Sequence, residues 1–353
     1  MTVTLAVVIT LIFLALAFDF INGFHDAANS IATVVSTRVL APFPAVLWAG
    51  FWNFIAAAPV LWGGQLRVAN TMGKGIIHFE MLRSQGSAMV LAVIFAGLAG
   101  AIAWNLLTWW WGLPSSSSHA LAGGLIGGTL PALGVDGLIG AGILKIASFI
   151  VFSPLIGMFL GTTTMIVTTW IVQRSTPARV DRWFRRLQLV SAAVFSYSHG
   201  TNDAQKVMGI ISVILYGTIW AHLLPAGGGA LPVPLWVVFS CHAAIGVGTL
   251  FGGWRIVKTM GHSLTKLQPI GGFCAETGGG VTILALAHAG IPVSTTHTIT
   301  GAIVGVGATR GNRAVRWGVA GRIIWAWILT IPASAAIAAA TYVATVWVMG
   351  HGP

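Results

Sequence analysis

Apolar residues fall along this chain in long blocks rather than in alternation. The blocks cover about 3–18, 40–62, 88–111, 138–172, 204–220, 233–253, 281–290 and 315–349. A helix needs roughly 20 apolar residues to cross a bilayer, and several blocks are long enough for two crossings. The pattern predicts an all-α polytopic membrane protein of about 10–12 helical segments, several of them broken. The block at 138–172 is interrupted by Ser153-Pro154 and accommodates one tilted helix or two shorter ones. Met1–Asp19 is apolar, and the first basic residue is Arg38. A secretory signal has a charged start and a small-residue cleavage site, so this segment is expected to persist as a first helix.

Composition sharpens the class. The 353 residues include 18 Lys+Arg and 7 Asp+Glu, only 7% charged, with 56% apolar residues and 45 glycines. Soluble domains carry about 25% charged residues, so too little polar surface is present to coat a water-soluble body. A cytosolic enzyme, a disordered regulator and a nucleic-acid binder are excluded, although the net charge is +11. Lys and Arg in a membrane chain collect in cytoplasmic loops. The densest basic run is Arg174–Arg186, with arginines at 174, 179, 182, 185 and 186 against the single acid Asp181. It reads as a cytoplasmic linker. Cys241 and Cys274 stand far apart in apolar or Gly-rich surroundings and read as buried, inert thiols. Tryptophans at block ends (Trp48, Trp104, Trp109, Trp110, Trp111, Trp170, Trp220 and Trp236) fit an interfacial belt.

The linker separates two related halves, 1–173 and 187–353. Phe18-Asp-Phe-Ile-Asn-Gly-Phe-His-Asp-Ala-Ala-Asn29 recurs as Phe195-Ser-Tyr-Ser-His-Gly-Thr-Asn-Asp-Ala-Gln-Lys206, an offset of 177. Gly112-Leu-Pro-Ser-Ser-Ser-Ser-His119 recurs as Gly290-Ile-Pro-Val-Ser-Thr-Thr-His297, an offset of 178, and continues through Gly123/Gly301 and Gly127/Gly305. Two separate motifs sharing nearly one offset indicate a duplication. Duplicated halves are a transporter pattern, and inverted topology would bring broken helices and helical hairpins together at the midplane.

With so few acids, each can be weighed. Asp26 and Asp203 occupy matching positions inside apolar stretches. A carboxylate in hydrocarbon costs on the order of 3 kcal/mol and persists where it faces a polar cavity, an ion or a partner. The plainer role is a helix cap, with Asp26 capping 27–35. Asn22, Asn29, Asn202 and Gln205 add carbonyl oxygens nearby. Such a set suits a hard cation such as sodium, and either Asp is equally able to take up a proton. Pro114-Ser-Ser-Ser-Ser-His and Pro292-Val-Ser-Thr-Thr-His read as helix starts, with proline in the first turn and hydroxyl caps. Each start offers free N–H groups, a positive dipole end and hydroxyl donors, which together make an anion site. Ordinary capping needs one hydroxyl rather than three or four.

Donors beside carboxylates repel a bare oxyanion unless it carries a proton or arrives with cations. Phosphate does carry one near neutrality, with a second pKa of about 6 for its esters, whereas sulfate does not. Cation binding that neutralises the acids before the anion fits would couple the two. Glu276 is either a further cation ligand or a first-turn residue, and Lys206 either pairs with Asp203 three residues away or touches the anion. His25, His199, His119 and His297 are proton relays or packing residues; His242 and His288 read as core residues. Glu80, Asp136 and Asp181 read as loop or turn charges, and Asp19 has no counterpart in the second half.

Asn22-Gly-Phe-His-Asp-Ala-Ala-Asn29, His199-Gly-Thr-Asn-Asp-Ala-Gln-Lys206, Phe273-Cys-Ala-Glu-Thr-Gly278 and the two Pro-x-Ser-[Ser/Thr]-[Ser/Thr]-His segments together resemble the Pit-type inorganic phosphate transporters. The likeness spans nearly the whole chain and is greatest to the compact prokaryotic branch. It implies a phosphate–cation symporter of the prokaryotic inner membrane that works by alternating access, with an extracytoplasmic N-terminus. The co-ion is sodium or a proton, and metal–phosphate is a further mode. No cofactor and no enzymatic activity are implied. The expected partners are inorganic phosphate and membrane lipid, with a homodimer left open. The implied phosphate ligands are Asp26, Asn29, Ser116, Ser117, Ser118, Asp203, Gln205, Ser294, Thr295 and Thr296. The residues expected to bind or couple the cation are Asn22, Asp26, Asn202 and Asp203, with Glu276 as a further candidate ligand. The Ser115–Ser118 run departs from the family's Val-Ser-Thr-Thr, which 293–296 keeps. A sulfate permease, a passive channel and an intramembrane serine hydrolase built from Ser116–Ser118 and His119 are the competing readings; in the hydrolase, neighbouring Ser and His on one turn would have to meet as nucleophile and base.

Overall fold

The computed structural model describes residues 5–224 and 229–350, apart from the His262 side chain. Residues 1–4 and 351–353, at the outer ends of the two expected halves, lie outside that description. Thirteen α-helices occur among the described residues: α1 (Leu5–Ser36), α2 (Pro42–Ile55), α3 (Arg67–Lys74), α4 (Phe79–Ser84), α5 (Ser87–Trp111), α6 (Ser117–Leu133), α7 (Gly140–Val172), α8 (Pro177–Gly217), α9 (Leu235–Phe251), α10 (Trp254–Lys258), α11 (Pro269–His288), α12 (Thr295–Ala308) and α13 (Trp317–Val348). Six helical stretches are long and apolar enough to cross a membrane, and a seventh span is formed if α9 and α10 count as one, bent by 62° at Gly252-Gly253. A chain that must satisfy its backbone inside hydrocarbon has helices as its route when no closed barrel forms.

The repeat orders the long helices as five pairs. Helices α1, α2, α5, α6 and α7 have counterparts in α8, α9, α11, α12 and α13, in the same chain order. The pairing extends beyond the two motifs to Pro154 inside α7 and Pro332 inside α13, again 178 apart. The 138–172 block is therefore one helix that runs through its proline. The hairpins fold back at Gly112 (φ 66°) and Gly290 (φ 70°), where a left-handed residue turns α5 into α6 and α11 into α12. The second leg of each hairpin is too short to span the bilayer: 17 and 14 residues at 1.5 Å each reach about 26 and 21 Å.

Close helix crossings follow the same symmetry. A Cβ on Gly23 of α1 would lie 2.3 Å from the Ile245 carbonyl oxygen of α9. A Cβ on its counterpart Gly200 of α8 would lie 2.6 Å from the Asn53 carbonyl oxygen of α2. Small residues that let backbones approach are the usual packing device where lipid supplies no hydrophobic drive between helices.

Two apolar clusters fill the interior. One holds Phe18 of α1, Leu121 and Leu125 of α6, and Ile211 of α8. The other holds Ile31 of α1, Phe195 of α8, and Ile299 and Ile303 of α12. Along α1 the chain passes from the first cluster to the second; along α8 it passes from the second to the first. The polar segments 22–29 and 199–206 lie between them. The outer surface is apolar, with Phe13, Trp110, Trp170 and Trp347 exposed. Not every tryptophan of the expected belt faces outward: Trp104 is buried and donates to Thr330, and Trp48 donates to the Leu189 carbonyl.

One local expectation changes. Asp26 and Asp203 sit within uninterrupted helices and cap nothing, because α1 and α8 run through both polar segments. The bent helix is the α9–α10 pair instead. Within the basic run, residues 177–186 form the first turns of α8, with Arg185 bonded to Asp181 one turn back at 2.8 Å. Cys241 and Cys274 are buried free thiols.

Candidate functional site

Four segments meet between the two clusters: 22–29 of α1, 199–206 of α8, and the first turns of α6 and α12. Their side chains are almost wholly buried, including Asp26, Asn29, Asp203, Lys206, Ser117, Ser118, Thr295 and Thr296. One carboxylate oxygen of Asp26, one of Asp203 and a ring nitrogen of His199 all lie within 4.8 Å of one another. Two acids 177 positions apart thus converge, an arrangement that like-charge repulsion forbids unless cations or donors compensate.

Each acid takes its first donor from the residue before it. His25 Nδ1 lies 2.7 Å from Asp26 Oδ1, and Asn202 Nδ2 donates to Asp203 Oδ1 at 3.0 Å. His25 and Asn202 are counterparts in the repeat. The second helix pair then reaches across. Asn29 of α1 donates to Thr296 at 2.9 Å and Thr295 at 3.3 Å on α12. Lys206 of α8 donates to Ser118 on α6 and to Asp203 at 2.5 Å. Asn29 matches Lys206, and Thr296 matches Ser118, so each half's acid-bearing helix holds the hydroxyl helix of the other half. Thr295 and Thr296 in turn make long 3.5 Å contacts with Asp203 and Asp26 respectively.

The two helix starts are built alike. Ser116 caps α6 by accepting the His119 main-chain N–H at 3.2 Å, and Ser294 caps α12 by accepting that of His297, also at 3.2 Å. One hydroxyl of each run is therefore spent on capping. Ser117 keeps a buried hydroxyl with no hydrogen-bond partner among the described residues, as do the side-chain oxygens of Asn22, Asn29 and Asn202. Unsatisfied buried polar groups are costly; clustered here, they mark a place shaped for a polar solute. His119 and His297 pack on each other with ring centroids 4.9 Å apart, and His297 stacks on Trp327 at 3.9 Å. Neither ring of the pair bonds a serine hydroxyl among the described residues, so no nucleophile–base couple forms.

Some expected ligands stand elsewhere. Gln205 turns away and caps α3, its Oε1 accepting Val68 and Ala69 N–H at 3.0 and 3.4 Å while Nε2 donates to the Thr201 carbonyl. It borders a separate cavity of about 310 Å³ shared with Arg67, Tyr197, His242 and His288. Glu276 of α11 is held by Thr33 at 2.5 Å, by Gln188 at 3.0 Å and by Ser191. Thr33 lies seven residues beyond Asp26, about 10 Å along the helix, so Glu276 forms a second polar centre. Asp19 is buried, with Asn22 and Cys241 beside it. Sequence reasoning missed Asn53, whose Oδ1 accepts from His199 Nδ1 at 3.0 Å and whose Nδ2 donates to Thr249 at 2.9 Å. A lone amide inside the apolar 40–62 block was the available signal.

A multi-pass helical membrane protein whose interior holds paired acids beside two hydroxyl-rich helix starts is built to carry a charged solute. The chain belongs to the phosphate transporter family, whose model matches residues 22–338. It is 54% identical over 343 residues to the "Probable low-affinity inorganic phosphate transporter" of Rhizobium meliloti (strain 1021), covering 97% of this chain and 98% of that one. It is 43% identical to the protein of the same name from Bacillus subtilis (strain 168), over 97% and 98% of the two chains. The fold matches a solved structure titled "The sodium-dependent phosphate transporter" with a TM-score of 0.83, 25% identity, and coverage of 98% and 99%.

Proposed function

We propose that this protein takes up inorganic phosphate together with a cation, sodium or a proton, by alternating access in a prokaryotic inner membrane. The observation that carries the reading is the convergence of Asp26 and Asp203 beside the first turns of α6 and α12. The helix starts supply donors for the phosphate oxygens, with Asn29, Ser117, Ser118, Thr295 and Thr296 as the expected ligands. The carboxylates accept from the protonated oxygen of the anion and are neutralised by the co-ion. Order of binding then follows from charge. An anion is repelled until a cation sits beside Asp26, and the cation gains affinity from the anion by the same factor.

The residues of this site are at most 5% exposed, so helices must part for phosphate to enter or leave. The opposite paths of α1 and α8 between the two apolar clusters support inverted halves, and rocking of such halves about a central site is alternating access. We place 174–186 in the cytoplasm by its arginines and the N-terminus on the opposite side. The likeness in fold to a sodium-dependent phosphate transporter favours sodium as co-ion.

Labelled-phosphate uptake into proteoliposomes, with sodium and pH gradients imposed separately, tests the proposal. Uptake driven by one gradient and competed by phosphate is the expected result. Competition by sulfate instead, or equilibration indifferent to both gradients, would overturn it.

A further inference from the structure

Lys206 is among the largest fully buried side chains of the molecule. Its ammonium group has three hydrogens and no acceptor. Its three neighbours are Asp203 Oδ1, the Ser118 hydroxyl and the Val293 carbonyl, the last at 3.1 Å. All three N–H bonds are therefore used within the protein, and none is left for the anion. One carboxylate oxygen, one hydroxyl oxygen and one main-chain carbonyl form the kind of hard-oxygen set that holds a small cation. The ammonium occupies that set.

The repeat supplies the comparison inside the same chain. At the position matching Lys206 stands Asn29, a neutral amide that donates to Thr296, the counterpart of Ser118. Its Oδ1 is buried without a hydrogen-bond partner among the described residues. The Asp26 side thus has a free amide oxygen and no built-in positive charge from this position, whereas the Asp203 side has a permanent one. The two halves share a plan and differ in charge at one residue.

We propose that Lys206 is a tethered cation that neutralises Asp203 in place of a bound ion, so that the carrier needs one fewer free cation per phosphate than an amide there would require. The free co-ion then belongs to the Asp26 side. This rests on the symport reading and adds to it the residue that sets co-ion number. Replacing Lys206 with asparagine restores the symmetric pattern: it removes the fixed charge and offers a carbonyl oxygen to an incoming sodium.

The test uses the full-length protein, with Lys206→Asn and with Lys206→Met, which keeps the bulk but has neither charge nor oxygen. Initial uptake of labelled phosphate is followed against sodium concentration in proteoliposomes. Sodium-dependent thermal stabilisation is followed in detergent, with choline as control. For Lys206→Asn the log–log slope of rate against sodium rises by about one above wild type, by linkage, and sodium stabilises this variant more than wild type. Lys206→Met loses uptake at every sodium concentration. Equal slopes and equal stabilisation in wild type and Lys206→Asn would overturn the proposal, as would full uptake by Lys206→Met with an unchanged slope. Should Lys206→Asn be inactive, the stabilisation decides: extra sodium stabilisation upholds the tethered cation, and its absence refutes it. A wild type that moves no phosphate refutes symport itself, and the stabilisation comparison still answers the question about Lys206.

Discussion

The tightest symmetric feature of the fold is the glycine crossing beside each acid, and it can be perturbed by one methyl group. Gly23 stands three residues before Asp26, and Gly200 three before Asp203. A Cβ at Gly23 would lie 2.3 Å from the Ile245 carbonyl oxygen, against the 3.4 Å at which ordinary contact begins, a shortfall of about 1.1 Å. At Gly200 the distance to the Asn53 oxygen is 2.6 Å, a shortfall of about 0.8 Å. Both obstacles are main-chain atoms inside helices, so no side chain can swing away and the helices must separate. Overpacking of this kind costs about 1–3 kcal/mol, while alanine for glycine within a helix returns about 1 kcal/mol. With the overpacking cost at the upper end of that range and the helix gain subtracted, Gly23→Ala is expected to destabilise by about 2 kcal/mol, Gly200→Ala by less, and both to slow phosphate uptake. Gly321→Ala on α13 is the control, since a Cβ there meets nothing within 4 Å, and it is expected to be neutral or slightly stabilising. Thermal unfolding in detergent, read by tryptophan fluorescence, and uptake in proteoliposomes are the assays. A Gly23→Ala protein as stable and active as Gly321→Ala would refute the claim that backbone contact sets the α1–α9 distance.

Asp26→Asn is expected to fold normally and lose phosphate uptake, which gel filtration and labelled uptake together will show, because the amide keeps an oxygen for the contacts with His25 and Thr296 while losing the carboxylate charge. Asp203→Asn is expected to lose stability as well, by about 3 kcal/mol, since it strands the buried Lys206 ammonium; the double change with Lys206→Asn should recover most of that loss in thermal unfolding. Ser116→Ala and Ser294→Ala each remove one helix cap and should cost about 1 kcal/mol apiece, with matching effects because the two caps have the same geometry; a large disparity in their unfolding midpoints would argue against equivalent roles.

Much of this architecture was legible because membrane physics restricts the answer. Blocks of apolar residues with almost no charge can only be lipid-facing or core helices, and a shared offset near 178 relates two motifs of the first half to two of the second. The hydroxyl runs were recognisable as helix starts because proline and serine suit a first turn. The uninterrupted course of α1 and α8 was harder to foresee, since Asn, Gly, His and Asp in 22–29 are poor helix formers that weigh against a helix locally. Burial among donors from other helices overrides that preference.

Direction of side chains was legible in no motif. Gln205 and Lys206 are neighbours in sequence, yet one caps α3 and the other joins Asp203 to Ser118. Glu276 belongs with Thr33, Gln188 and Ser191 rather than with the paired acids. Residue order alone carries the class of protein, its duplication, and the residue types available for an anion beside a cation. Which of them meet is set by helix packing, because the decisive contacts join residues such as Asn29 and Thr296, 267 positions apart. Such contacts depend on how the helices cross, and the close approach of backbones at Gly23 and Gly200 sets that crossing.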